Sequence, residues 1–361
     1  MTSLLIFAAL AILTPKDGAI VPTQTRTQKA YLSCARSERA LQMDNPNIRS
    51  RLVAAGATQR PLELAWTSDK TNAVFRLSLT REGGTTDRFS VTNQTVVYLA
   101  NLEVGARYDW TVADANDAAT SSFITESAAP RFLQADGVTN FRDLGGWITT
   151  DGHRVRENRI FRSAGLRSSS HAKGNGFFAT KFTPGSRRIT DDGIETLKGD
   201  FKIKTELELR TPQETIDMDA STLGDGVRFV KIPFAAYDLI DSPTRGKDPF
   251  AQIFRLFTDE GNYPILMHCS GGRDRTGTLT FLLNGLLGVS EDDLCRDWES
   301  TIFADDGSKF TSGLIQRLLD YLKDYPGDTL QAHITSFARS CGISEKELDT
   351  FHHLMLETPT P

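Results

Sequence analysis

The 361-residue chain has few cysteines, and their spacing excludes several classes of protein. It contains four, Cys34, Cys269, Cys295 and Cys341, and no two of them form a CxxC pair. Closely paired cysteines are the usual mark of a structural zinc site, so we expect no metal at these residues. The cysteine density is also far below that of a scaffold held together by disulfides, although Cys295 and Cys341 could pair.

The chain also lacks a basic segment and any apolar run of membrane-spanning length. Its formal net charge is −5 with no basic tail, which argues against nucleic acid as a partner. A local basic pocket for a phosphorylated molecule remains compatible with this charge. The apolar run Leu4 to Leu13 is too short to span a bilayer but has the length of a signal-peptide core. We therefore expect a signal peptide over residues 1–19, no integral membrane segment in the mature chain, and a secreted, periplasmic or cell-surface location.

The length suits two domains, and the rhythm of the sequence changes near residue 131. Residues 20–45 are polar and are interpreted as a lead-in or linker. Residues 46–130 contain short alternating segments separated by turn signals, which predicts an all-β domain. From 131 to 361, strand-like and helix-like segments alternate, which predicts an α/β domain with a mainly parallel sheet flanked by helices.

Within the all-β region, the segment 102–110, LEVGARYDW, resembles the corner and strand of a fibronectin type III domain. Tyr108 occupies the position of the tyrosine that characterises this corner, and Trp66 lies on an early strand. The resemblance implies an immunoglobulin- or fibronectin III-like sandwich, whose usual role is spacing or adhesion.

The segment 264–283, PILMHCSGGRDRTGTLTFLL, carries the chemistry. It predicts a buried strand, a glycine-rich turn and a helix, with Cys269 at the end of the strand and Arg275 at the start of the helix. Gly271 and Gly272 allow consecutive N–H groups to converge on an anion, and the helix adds its positive end. Arg275 can hold two phosphate oxygens, and in such a field a thiol favours its thiolate form. If Cys269 were only an inert packing residue, the glycine-rich turn beside it and the arginine at the start of the helix would have no explanation.

The sequence HCSGGRDRTG resembles the signature loop of cysteine-dependent phosphatases, and its ending resembles the bacterial tyrosine/lipid phosphatase branch. The blocks NFRDLGGW (140–147), DGHRVRENRIFRSAGL (151–166) and ELRTPQE (208–214) match the same branch in the same order. The resemblance covers residues 132 to about 356 and implies a catalytic domain that needs no metal or cofactor. It implies Cys269 as nucleophile and Arg275 as catalytic arginine, with phosphate bound by the remaining loop residues: Ser270, Gly271, Gly272, Arg273 and Thr276.

The sequence departs from this family at two positions. The family loop usually has Lys where this chain has Arg273, and Asp where it has Glu208. His268 is expected to orient the loop from a buried position, and Thr276 to donate its hydroxyl to the sulfur. Arg142 with Asp143 and Arg162 with Ser163 are interpreted as buried ties that brace the loop.

The proton donor to the leaving group is open among three carboxylates. The resemblance favours Asp274, inside the loop, as general acid. Asp238 lies some thirty residues before Cys269, as the mobile acid of other tyrosine phosphatases does, and Glu208 is the third candidate. Asp274 could instead form a salt bridge that orients Arg275 or Arg162, and Asp238 could be a solvated loop residue.

We predict a phosphomonoester hydrolase that acts through a phosphocysteine. Phosphotyrosine protein is the first choice of substrate, and phosphoinositides or phosphoserine/threonine, with dual specificity, are the alternatives. The alternatives that are not enzymes are a module that binds phosphate without turnover and an adhesion protein whose main functional part is the β-sandwich. The oligomeric state is unknown from sequence.

Overall fold

The computed structural model describes residues 10–56, 58–173, 181–183, 185–241, 243–304 and 313–357. The chain forms two compact units that alternate along the sequence. The first, called the β unit, comprises residues 1–25 and 59–131, and the second, called the α/β unit, comprises 26–58 and 132–361. The change of rhythm predicted near residue 131 coincides with one of these boundaries.

The β unit consists of two sheets that share one core. Its strands are β1 (Ala11–Thr14), β2 (Ala19–Val21), β3 (Leu62–Thr67), β4 (Val74–Arg81), β5 (Thr86–Thr92), β6 (Val96–Leu99), β7 (Arg107–Ala113) and β8 (Ala118–Thr125). One sheet has the order β1-β3-β6 and the other β2-β8-β7-β4-β5. Trp66 of the first sheet and Trp110 of the second lie in the same buried cluster. The structure thus agrees with the all-β prediction for this unit.

The predicted leader, residues 1–19, falls only partly on described residues. Its described part supplies β1, which pairs antiparallel with β3 and sets Ile12 opposite Trp66. Ala19 begins β2, which runs parallel to β8. These residues therefore belong to the sheets of the β unit in this structure, and export stays a prediction.

Two stretches differ from their predicted structure. Residues 20–45, expected to be a lead-in, contain β2 and the helices α1 (Arg26–Leu32) and α2 (Arg36–Asp44). Residues 46–54, expected to begin the β-sandwich, form helix α3 (Pro46–Ala54). The side chain of Asn45 accepts hydrogen bonds from the N–H groups of Asn47 and Ile48, and Pro46 occupies the first turn. This is a strong helix start that the strand interpretation overlooked.

The α/β unit is built on a five-stranded sheet. The strands of this unit are β9 (Arg142–Asp143), β10 (Ile160–Ala164), β11 (His171–Lys173), β12 (Lys181–Thr183), β13 (Thr205–Glu208), β14 (Arg228–Lys231) and β15 (Ile265–Cys269). The sheet order is β14-β13-β15-β10-β9, and β11 and β12 form a separate two-stranded sheet. All pairings in the five-stranded sheet are parallel except that of β9 with β10. The predicted mainly parallel α/β fold is confirmed.

Helices follow and flank these strands. They are α4 (Asp191–Gly199), α5 (Ala236–Asp241), α6 (Pro243–Leu256), α7 (Asp274–Leu286), α8 (Glu291–Glu299), α9 (Gly313–Leu322), α10 (Leu330–Ser340) and α11 (Glu345–Met355). Strand β15 lies at the centre of the sheet and leads into α7, so the cysteine loop occupies the carboxyl edge of the sheet, where α/β proteins place their sites. In the described ranges, no helix is both long and apolar enough to cross a membrane.

A buried ion pair fastens α2 to α8 within the α/β unit. The side chain of Arg39 is completely buried, and it donates hydrogen bonds to Glu299 and, at 2.6 Å, to Asp292. Glu299 is also buried. Burial raises the pKa of Glu299, whereas the hydrogen bond from Arg39 lowers it. Removing Arg39 would therefore leave a carboxylate in the interior without its main partner.

We predict that Arg39→Met destabilises the α/β unit by about 3–5 kcal/mol, because breaking a buried pair leaves one charge uncompensated. Arg36→Met is the matched control, since Arg36 forms a more exposed pair with Glu291 on the same two helices and should cost about 0–1 kcal/mol. Urea unfolding of the three proteins measures both values. Equal effects of the two substitutions would contradict the assignment of Arg39 as an anchor.

Candidate active site

The loop after β15 forms one wall of a cavity of about 640 Å³. Cys269 ends the strand, lines this cavity and is 3% exposed. The cavity is also lined by Ser270, Gly271, Arg273, Asp274 and Arg275. Helix α7 begins at Asp274 without a hydrogen bond from a capping side chain, so its positive end is open to an anion. The structure thus brings the sequence-predicted cysteine, glycine and arginine residues together.

The loop backbone has the conformation that an anion nest needs. Gly272 has φ +66°, and a Cβ there would lie 2.4 Å from the carbonyl oxygen of Ser163, so glycine is required. The carbonyl of Gly271 accepts a hydrogen bond from Asn140 at 3.0 Å, and that of Gly272 accepts one from Arg162 at 2.7 Å. The two carbonyl groups are thus hydrogen-bonded to side chains of the protein. The N–H groups of Gly271 and Gly272, in contrast, make no hydrogen bond to any described residue. They are available to a bound anion.

Asp297, on α8, holds the residues that grip the loop. It accepts hydrogen bonds from Arg162 and, at 3.3 Å, from Arg142. Arg142 in turn donates to the side-chain oxygen of Asn140. Both arginines are completely buried, so Asp297 supplies the negative charge that permits two guanidinium groups in the interior. The interpretation of Arg142 and Arg162 as buried braces agrees with this geometry.

Arg275 is held by Glu214. Its two terminal nitrogens donate to the two carboxylate oxygens at 2.7 and 3.0 Å, and one of them also contacts the Ser270 hydroxyl at 3.1 Å. Burial lowers the pKa of Arg275, but Glu214 and the sulfur of Cys269 outweigh it and raise the pKa above its ordinary value. The Nε–H of Arg275 bonds to none of the described residues, which leaves a donor for a ligand.

Glu214 is ionised in this arrangement. Burial would raise its pKa, but hydrogen bonds from Arg275 and from the Thr211 backbone lower the pKa to about 2. The Thr211 hydroxyl also donates to the same carboxylate at 3.0 Å. The carboxylate therefore acts as a fixed negative partner that orients the guanidinium group.

His268 lies behind the cysteine and is 1% exposed. Its Nε2 atom lies 2.9 Å from Glu206 Oε1, and its Nδ1 atom lies 3.6 Å from Glu208 Oε2. Burial lowers the pKa of His268, but the two carboxylates outweigh it and raise the pKa. Strand pairing accounts for this contact, because β13 sets Glu208 directly opposite His268 on β15. A position so enclosed suits an orienting residue, as the sequence predicted.

Two side chains of the loop, those of Arg273 and Thr276, differ in whether they form hydrogen bonds. Arg273 closes a two-point hydrogen bond on its neighbour Asp274, at 3.0 and 3.1 Å, which a lysine could not form. The hydroxyl of Thr276 is buried and has no hydrogen-bond partner among the described residues, the sulfur of Cys269 included. The prediction that Thr276 donates to the sulfur is therefore wrong in this structure, since the hydroxyl does not bond to it.

The three candidate acids fall in different environments. Asp274 lines the cavity. Glu208 is 1% exposed and pairs with Arg210 at 2.6 Å; burial raises its pKa, but His268 and Arg210 outweigh the burial and lower it. A buried, ionised Glu208 is poorly suited to donate a proton. Asp238 lies on α5, and its side chain lies outside what the structure describes.

Sequence reasoning missed Glu214 and Asp297 as functional residues. Glu214 ended a block that matched the family, 208–214, and its distance from Arg275 along the chain gave no sign of their contact. Asp297 lies in an amphipathic helix where an acidic residue is ordinarily exposed. The available signal was Arg162: a buried charge requires a charged partner, and the predicted partner of Arg162 is the uncharged Ser163.

We predict that the stability contributed by Glu214 depends on pH. Because its pKa is lower in the folded protein, at about 2, than in the unfolded chain, at about 4.3, the stabilisation is complete above the unfolded pKa and is lost as the pH falls toward 2. The difference in unfolding free energy between wild type and Glu214→Gln should therefore shrink from neutral pH to about pH 3. Urea unfolding measures it, with the exposed Glu195→Gln as control. A difference that grows on acidification would contradict this account.

The tyrosine phosphatase family model matches residues 133–178 and 185–357, more than half of the chain. A protein of Cupriavidus necator with the name "Putative tyrosine-protein phosphatase" is 28% identical over 191 residues, which cover 46% of this chain and 61% of that protein. The chain thus spans less than two thirds of the length of this curated relative.

Two solved structures show weaker similarity. The core catalytic domain of the PP-IP phosphatase SIW14 from S. cerevisiae, in complex with citrate, has a TM-score of 0.28 and 18% identity and covers 45% of this chain and 80% of that chain. A Siw14 catalytic core has a TM-score of 0.32 and 13% identity, with coverage of 55% and 90%. Scores this low carry no argument about this chain. The family match rests on the sequence, and it includes the cysteine loop and Glu214, Arg142, Arg162 and Asp297. The chain therefore belongs to the tyrosine phosphatase family.

Proposed function

We propose that the chain is a cysteine-dependent phosphomonoester hydrolase of the protein tyrosine phosphatase type. The observation that carries the proposal is the joint placement of Cys269, the unpaired loop N–H groups and the Glu214-oriented Arg275 at one cavity. This set supplies a nucleophile and anion-binding donors that are already in position. Preorganised donors of this kind stabilise charge that develops in a transition state.

The proposed reaction has two steps. The Cys269 thiolate attacks phosphorus, an S–P bond forms, and the P–O bond to the leaving group breaks as that oxygen takes up a proton. Water then attacks phosphorus, the S–P bond breaks, and inorganic phosphate leaves while the thiolate is regenerated. The loop N–H groups and Arg275 bind the phosphoryl oxygens in both steps.

Phosphotyrosine protein is the first substrate class proposed, with phosphoinositides and phosphoserine/threonine as alternatives of the same mechanism.

For the β unit we propose a fibronectin type III-like domain. The Tyr108 hydroxyl accepts a hydrogen bond from the backbone N–H of Glu103 at 2.9 Å, as in the tyrosine corner of such domains. Export is proposed from the apolar run Leu4–Leu13, and N-terminal sequencing of the protein recovered outside the producing cell tests it.

We predict that Cys269→Ser abolishes phosphate release from p-nitrophenyl phosphate and from a phosphotyrosyl peptide, because a hydroxyl lacks the nucleophilicity of a thiolate. Cys341→Ser is the matched control, since Cys341 is a free, half-buried cysteine outside the cavity, and it should keep full activity. Equal activity of wild type and Cys269→Ser, or an inactive wild type, would reject the enzyme and favour a phosphate-binding or adhesion module.

We also propose Asp274 as the general acid. It lines the cavity, and its two-point contact with Arg273 fixes the direction of its carboxyl group. To act as a proton donor, the carboxyl group of Asp274 must first be protonated. It must then give up one of the two hydrogen bonds that it accepts from Arg273. Asn keeps the shape of Asp but has no proton to transfer at this step, which makes the substitution specific.

We predict that Asp274→Asn lowers the rate for phenyl phosphate by about 10²- to 10⁴-fold and the rate for p-nitrophenyl phosphate by much less. The nitrophenolate leaves readily without a proton, whereas phenolate does not. Asp238→Asn is tested beside it with the same two substrates. A leaving-group-dependent loss in Asp238→Asn, and not in Asp274→Asn, would transfer the role to Asp238.

A further inference from the structure

Arg188 lines the same cavity as Cys269, and its charge is unpaired in the described part of the chain. Of the other arginines that line the cavity, Arg275 is paired with Glu214 and Arg273 with Asp274. The exposed guanidinium group of Arg188 has no hydrogen bond or ion pair with any described residue, whereas the neighbouring Arg187 pairs with Asp191 at 2.8 Å. The cavity therefore contains a cation that the reaction on Cys269 does not use.

The backbone of Arg188 is fixed although its side chain is unpaired. Its N–H donates to the carbonyl of Leu166 at 2.8 Å, and the next residue, Ile189, is buried in the core. On the other side, a Cβ on Gly137 would lie 2.2 Å from the carbonyl oxygen of Arg188, and Gly137 has φ +74°. The close approach therefore requires glycine at position 137. Because the backbone is already ordered, only the side chain of Arg188 loses conformational freedom when it engages a ligand.

The volume of the cavity and the charges of its lining residues indicate which kind of ligand group would bind Arg188. A volume of about 640 Å³ is typical of a pocket that holds a whole small ligand and leaves room beyond the reacting phosphate. Among the described residues that line the cavity, Asp274 alone carries a carboxylate, and Arg273 already engages it. Arginine matches phosphate and carboxylate equally well through its planar fork. The unpaired guanidinium group of Arg188 at the cavity wall thus favours substrates whose leaving group carries an anionic group.

On the basis of the proposed function, we propose that Arg188 binds a second anionic group, phosphate or carboxylate, borne by the leaving group of the substrate. The enzyme then selects phosphomonoesters that carry a further negative charge over those with a neutral leaving group. Arg188 acts here as a specificity residue and takes no part in the transfer of the phosphoryl group.

Binding to the Cys269→Ser protein tests this without any dependence on turnover. Calorimetry compares phenyl phosphate, 1,3-phenylene bisphosphate and 3-carboxyphenyl phosphate, which share one ring and one phosphate ester. We expect the protein to bind at least one of the two doubly anionic compounds about 10- to 100-fold more tightly than phenyl phosphate, the range for a hydrogen-bonded charge. Adding Arg188→Gln should remove that preference, so that the doubly anionic compounds bind no more tightly than phenyl phosphate. Arg187→Gln, a neighbouring exposed arginine outside the cavity lining, should keep the preference.

Preference for the bisphosphate alone would identify the second group as phosphate, and preference for both compounds would identify a general anion site. No preference in the Cys269→Ser protein, or a preference that survives Arg188→Gln, would overturn the proposal. Activity of the wild-type protein on phenyl phosphate is measured separately. An inactive wild type that still shows the Arg188-dependent preference would reject the proposed reaction and leave the anion site standing.

Discussion

The active site depends on one buried carboxylate, Asp297, which holds two arginines that would otherwise be uncompensated charges in the interior. Through Arg142 and Asn140 it fixes the carbonyl of Gly271, and through Arg162 it fixes that of Gly272. A loop can present its N–H groups to an anion only when its carbonyl groups point elsewhere and are satisfied. The anion nest is therefore maintained by an ion cluster on the far side of the loop.

A second ion pair prepares the catalytic arginine. Glu214 keeps its negative charge far below neutral pH and holds both terminal nitrogens of Arg275. The guanidinium group consequently has one orientation before any ligand arrives, which is the condition for effective stabilisation of a transition state. The two clusters are separate, with Asp297 acting on the loop backbone and Glu214 on the loop side chain.

Local sequence was enough to predict the strand, loop and helix around Cys269, because the glycines, the apolar runs and the arginine all lie within one short segment. The mainly parallel sheet was also predictable from alternation of strands and helices. The helices α1 and α2 were not, because residues 20–45 were interpreted as a polar lead-in. Helix α3 was missed because the strand interpretation of residues 46–54 ignored the capping residue Asn45.

Contacts between distant residues set the limit of prediction within the site. Glu214 and Asp297 act through partners far away in sequence, and nothing in their own neighbourhoods marks them. The expected Thr276 contact failed for a related reason, because the loop pattern defines which residue types are present but not which way a short side chain points. The open charge of Arg188 is likewise visible only once the cavity is assembled.

The central claim is that phosphorus becomes covalently bonded to the sulfur of Cys269. Wild-type protein and Cys269→Ser, mixed with p-nitrophenyl phosphate and quenched in acid during turnover, can be digested and their peptides weighed by mass spectrometry. The account predicts one phosphoryl group on the wild-type peptide that contains Cys269 and none on the Cys269→Ser peptide. Turnover with no phosphoryl group on Cys269, or with phosphoryl on a different residue, would contradict it.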